Sequence, residues 1–254
     1  MTDLTFTVLL MSVIFFGVAF FYASVGLGDS SSYTALLALF GVGAVSIPTI
    51  SLSLNLMVTT TASVMFFQQK HSKLKLIMPF LMSSLPMAYL GGSLQVPKEI
   101  FYIILFFSLI FAAWRIYFPG DTEPLPLGPV GRIALSLTAG GVLGLVAGIT
   151  GIGGGVYLVP LIIIAGLGSA KEAAACGSVF IWVNSVSGLL ARIQYNSINL
   201  SPFLPLLIAV FAGGLCGSYM GAASFVPRTM QKILGSILVL AVMFLGVKIA
   251  GMYA

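Results

Sequence analysis

Long apolar runs follow one another along the chain with only short polar interruptions. They cover residues 4–25, 30–45, 46–68, 76–95 and 98–118, then 132–150, 155–168, 172–195, 202–223 and 228–251. Runs of this length with few charges predict membrane-spanning helices. The second run of each set is short. It is joined to the first by a glycine-rich break, Gly26-Leu27-Gly28-Asp29-Ser30 in one place and Gly151-Ile152-Gly153-Gly154-Gly155 in the other. Between the sets, PGDTEPLPLGPVG at 119–131 reads as a polar linker.

The two sets repeat each other. Gly26 and Gly28 fall on Gly151 and Gly153 at an offset of 125, Asn55 on Asn184 at 129, and Val96-Pro97 on Val226-Pro227 at 130. The small drift is what loop insertions produce. The expected architecture is an all-α polytopic membrane protein of two homologous, inverted repeats, 1–118 and 132–254. Each repeat has a glycine-broken pair of half-length helices and three further spans. A duplicated apolar unit broken by glycine at matching places is the signature of a secondary transporter.

Composition supports this class. Hydrophobic residues make up 59% and charged residues 7% of the chain, far below the roughly 25% charge of a soluble domain. The alternating segments of a β-barrel are absent from the sequence. MTDLTF lacks a basic region before its apolar run, so this stretch reads as a retained first helix. The net charge of +5 lies in loops beside apolar runs, which argues for membrane anchoring and against nucleic acid. Cys176 and Cys216 fall inside apolar runs without metal-ligand spacing.

Charge placement orients the chain. If each glycine-broken pair counts as two passes, Lys70, Lys73, Lys75, Arg115, Arg132, Lys171, Arg228 and Lys232 share one side. Lys98, Arg192 and Lys248 share the other. Counting each pair as one span would give parallel halves and seven against four, so eight against three favours the first count, with the first side cytoplasmic and both termini outside.

Chemistry is expected at the breaks. A break frees backbone N–H and C=O groups, which must face protein or a water-filled cavity. A restarting helix aims its positive N-terminus inward and favours an anion. Gly28, Ser30, Ser31, Gly153, Gly154 and Gly155 are therefore candidate substrate contacts, with tight small-residue packing as the alternative. Asn55, Asn184 and Ser178 are candidate cavity polar groups, or else interhelical hydrogen-bonding groups. Asp29 is the one acid deep in an apolar region. It either carries a proton or caps the restarting helix. Arg192 is a candidate anion contact or a residue snorkelling to the interface. Neither a Ser-His-Asp set nor HExxH nor paired carboxylates stands in the sequence, so an enzyme is not expected.

GITGIGGGVYLVPLI at 148–162, AAACGSVFIWVNSVSGLL at 173–190 and INLSPFLPLLIAVFAGGLCGSYMGA at 198–222 resemble the TauE/SafE family of sulfite and organosulfonate permeases. The repeated layout extends the resemblance over nearly the whole chain. Family members usually carry GxGGG in the first half too, where this chain has Gly26-Leu27-Gly28-Asp29-Ser30. The resemblance implies transport of a small sulfur-containing or related carboxylate anion across the bacterial inner membrane, driven by an ion gradient. The proton reading of Asp29 makes H+ the expected coupling ion; no cofactor is expected, and a homodimer is left open. A membrane scaffold without transport and an anion channel are the alternatives.

Overall fold

The computed structural model describes residues 2–25, 31–68, 74–117, 128–195, 200–220 and 227–253. Ten α-helices follow in chain order: α1 (Thr2–Val25), α2 (Ser31–Leu39), α3 (Ser46–Gln68), α4 (Leu74–Ser93), α5 (Lys98–Tyr117), α6 (Pro129–Thr150), α7 (Gly155–Ile164), α8 (Ala170–Tyr195), α9 (Leu204–Met220) and α10 (Pro227–Tyr253). A 3-10 turn, Ser201–Phe203, leads into α9. No strand occurs among the described residues. Among the described residues, four helices, α4, α6, α8 and α10, contain stretches long and apolar enough to cross a membrane.

Only the second helix of each glycine-broken pair is short. α2 has 9 residues and α7 has 10, whereas α1 has 24 and α6 has 22. At 1.5 Å per residue the short helices extend about 14–15 Å, half a bilayer core. They stop earlier than their apolar runs because each meets a left-handed glycine. Gly41 (φ 75°) donates to Ala38 O while Val42 donates to Leu37 O. Gly166 (φ 61°) and Leu167 repeat that pattern onto Ile163 O and Ile162 O. These are Schellman closures at positions 125 apart. α6 begins within the stretch that reads as linker. Pro129 opens α6, because proline at a first helical position loses no helical hydrogen bond.

Close helix contacts set the directions. Gly140, Gly144 and Gly148 on α6 lie against the backbone of Phe80, Ser84 and Ala88 on α4, so these helices run parallel. Gly213 and Gly217 on α9 lie likewise on Phe16 and Phe20 of α1. A methyl group at any of these five glycines would strike a backbone atom, which is the geometry of small-residue packing in membranes. By contrast α3 runs antiparallel to α8: Leu52 meets Gly188, and Trp182 Nε1 donates to Thr60 Oγ1 at 3.0 Å. α5 and α10 are antiparallel too, with Lys248 Nζ donating to Tyr102 OH at 2.9 Å and Gly246 facing the Phe106 ring.

The principal helix neighbours are kept when α1–α5 are exchanged for α6–α10. α4 packs on α6 and α8 as α9 packs on α1 and α3. α7 packs on α8 as α2 does on α3, and α10 meets α2 as α5 meets α7. The larger buried apolar cluster joins α1, α2, α3, α5, α9 and α10, and a smaller one joins α4, α7 and α8 around Phe80 and Phe180.

Candidate functional site

The second glycine break is built by backbone conformations that need glycine. Gly151 (φ 80°) caps α6 through its N–H to Ala147 O, and Gly153 (φ 78°) and Gly154 (φ 86°) turn the chain into α7. Side chains strain positive φ, so three such positions in four residues explain the motif. The break is buried throughout. The start of α7 lies level with the middle of α8: Gly154 faces the Phe180 ring and Gly155 the Ile181 side chain. Its first N–H groups therefore open halfway along a 26-residue helix.

Residues from the other half close around this break. Asn55 Nδ2 and Ser51 Oγ on α3 both donate to Gly151 O at 3.0 Å. Thr34 Oγ1 on α2 and Ser51 Oγ are 2.7 Å apart and share a hydrogen bond. Pro48 packs directly on Gly151.

Asn55 and Asn184 lie at the α3–α8 crossing. Asn55 is three residues after Leu52, and Asn184 four before Gly188, so each shares the helix face that meets the opposing helix. Both are buried, at 1% and 0% exposure. Asn55 Oδ1 and both polar atoms of Asn184 have no hydrogen-bond partner, nor do Ser185 Oγ, Thr49 Oγ1 and Ser84 Oγ. A buried polar atom without a partner costs about 1–3 kcal/mol. The unpartnered amide groups at the α3–α8 crossing mark a place meant to receive another polar group.

Arg192 lies 6% exposed, and one terminal nitrogen donates to Gly148 O and Ile149 O, both at 2.9 Å. It does not snorkel to the interface. It covers the carbonyl end of α6, whose partial charge is negative, just before the break. What remains at the break is the positive start of α7. The equivalent position in the first half, 129 residues earlier, is Ser63. The cationic cover is thus one-sided.

The expected site residues divide as follows. Asn55, Asn184, Gly153, Gly154, Gly155 and Arg192 fall around one break. Ser31 is buried at the start of α2. Ser178 is buried, but its hydroxyl donates to Ala174 O of its own helix at 3.2 Å. Gly28, Asp29 and Ser30 lie outside the described residues. Thr34 and Ser84 were not singled out from the sequence. Hydroxyls are common in packed membrane helices, and nothing local distinguishes these two.

The chain matches the family described as "Sulfite exporter TauE/SafE" over residues 11–248. It belongs to the TauE/SafE family. It is 31% identical over 236 residues to a "Probable membrane transporter protein y4hK" of Sinorhizobium fredii (strain NBRC 101917 / NGR234), covering 91% of this chain and 95% of that protein. No solved structure matches it. As a TauE/SafE protein with four helices long enough to span among its described residues, this chain is a multi-pass membrane protein of a transporter family.

Proposed function

We propose that this TauE/SafE protein is a proton-coupled secondary transporter of a small sulfur-containing anion, such as sulfite or a short sulfonate, in the bacterial inner membrane. The observation that carries the reading is Asn184. Its amide is fully buried and unpartnered at the α3–α8 crossing, one helical turn from the residues that face the start of α7. An anion there gains amide N–H donors and the positive helix start, while Arg192 covers the opposing carbonyls. Gly153, Gly154, Gly155, Asn55 and Asn184 form this half of the site. Gly28, Ser30 and Ser31 are its counterparts in the first repeat, where Asp29 carries the coupling proton.

The repeats, 1–118 and 132–254, sit inverted in the membrane with the Lys70–Lys75 loop cytoplasmic. The eight-to-three charge division and the antiparallel α3–α8 pair support that orientation. An uptake screen in proteoliposomes tests the function, with sulfite, thiosulfate, sulfoacetate, isethionate, taurine and short carboxylates under an imposed pH gradient. Gradient-dependent accumulation of one of them is the expected result. Flux without accumulation points to a channel, and no flux of any in a folded protein defeats the anion reading.

A further inference from the structure

A cavity of about 350 Å³ lies where the start of α3, the α4–α5 connection and the end of α8 meet. That volume is within the range of small-ligand sites. Arg192, Lys98 and Gln95 supply its polar lining, and Pro48, Ile149 and Phe101 part of its apolar wall. Pro48 also packs on Gly151, and Ile149 O is held by Arg192. The cavity therefore runs up to the back of the glycine break. Arg192 Nε is buried without a hydrogen-bond partner, although the same side chain clasps two carbonyls through its terminal nitrogen.

The cations are the telling feature. Lys98, Arg192 and Lys248 are the three basic residues on the charge-poor side of the protein. Two of them line this one cavity. The third, Lys248, is bonded to Tyr102, the neighbour of the lining residue Phe101. Loops outside the cytoplasm are depleted in Lys and Arg, so their convergence there is not an average of that surface. Glu99 offsets Lys98 only in part, at 3.9 Å and with both side chains solvent-accessible.

We infer that this cavity is an outer anion vestibule, a second subsite in which Lys98 and Arg192 gather a small oxyanion before it passes to, or after it leaves, the glycine break. The location outside the cytoplasm rests on the orientation proposed above; the anion preference rests on the lining itself. Positive groups along a low-dielectric cleft raise the local concentration and on-rate of anions by about tenfold or more. Arg192 keeps its clasp on α6 through one terminal nitrogen, and its unpartnered Nε–H is available to contact the anion.

The test needs no transport. Gln95→Cys, in a chain with Cys176 and Cys216 replaced by Ala, is placed in phosphatidylcholine nanodiscs. It is labelled with an anionic sulfonatoethyl methanethiosulfonate and with its cationic trimethylammonium counterpart. The anionic reagent is expected to react about tenfold faster relative to its rate on a free thiol than the cationic one does. Lys98→Gln should collapse that preference, Lys98→Arg should keep it, and isethionate should slow the anionic reaction. The net-neutral lipid leaves soluble anion as the ligand; an added anionic lipid that replaces isethionate as the protecting species shows a headgroup site and overturns the vestibule. Equal relative rates, or a preference that Lys98→Gln leaves intact, overturn it as well. A preference that holds in a protein transporting none of the screened anions upholds the vestibule and defeats the transport reading alone.

Discussion

The Asn55 side chain donates to the carbonyl oxygen of Gly151 at 3.0 Å, across 96 residues of sequence. A residue of the first repeat thus secures the break of the second. Its repeat partner Asn184 makes no hydrogen bond. Two asparagines that look equivalent in sequence therefore carry different physical loads.

That difference predicts opposite stability effects. Asn55→Leu removes a donor from a buried carbonyl that Ser51 alone then serves, so it should destabilise by about 1–2 kcal/mol. Asn184→Leu removes an amide that has no partner, and should leave stability unchanged or raise it. Thermal unfolding in detergent reads both. Uptake by the same proteins should be lost in each. A transport-competent Asn184→Leu protein would remove this residue from the site.

The α4–α6 seam predicts where alanine is not tolerated. Gly148→Ala places a methyl against the Ala88 carbonyl, and Gly144→Ala against Ser84. Backbone cannot yield there as a side chain does, and overpacking of this kind costs about 1–3 kcal/mol or more. Gly17 and Gly128 have open space at the same point. Gly17→Ala and Gly128→Ala should give wild-type yields of monodisperse protein on size-exclusion chromatography, whereas the α6 variants should not.

Gly153 predicts a functional loss separable from folding. Its φ of 78° makes Gly153→Ala strained by about 1–2 kcal/mol, and the added methyl narrows the mouth of α7. The expected result is a folded protein of lower melting temperature with little substrate uptake. Uptake at the wild-type rate would place the anion elsewhere.

Orientation predicts one-sided labelling. A cysteine at Lys73 should react with a membrane-impermeant maleimide only after cells are opened, and one at Gln95 should react in intact spheroplasts. Labelling of position 73 from outside reverses the topology.

Asp29 predicts a coupling defect. Asp29→Asn can still cap α2 but cannot exchange a proton. It should keep counterflow of the substrate identified in the uptake screen and lose accumulation driven by a pH gradient. Full gradient-driven accumulation in the Asn variant assigns Asp29 to capping alone.

The sequence by itself determined the helices and their number per repeat. Apolar length is a local property, and membrane helices satisfy their own backbone, so apolar runs locate the helices, although α2 and α7 end at Gly41 and Gly166 before their runs do. It also marked the second break, because consecutive glycines between apolar runs have few other uses. Offsets of 125 and 129 then made Asn55 and Asn184 stand out among many buried polar residues. Only the tertiary structure decided which groups meet. Arg192 read from sequence as a helix-end cation with two roles open to it, and its burial against Gly148 and Ile149 depends on how α8 leans on α6. The bond from Asn55 to the opposite repeat, and the gathering of Lys98 with Arg192 in one cavity, depend on packing between helices far apart in the chain. Hydropathy is periodic along one helix and is blind to its neighbour, so such contacts leave no trace in the order of residues.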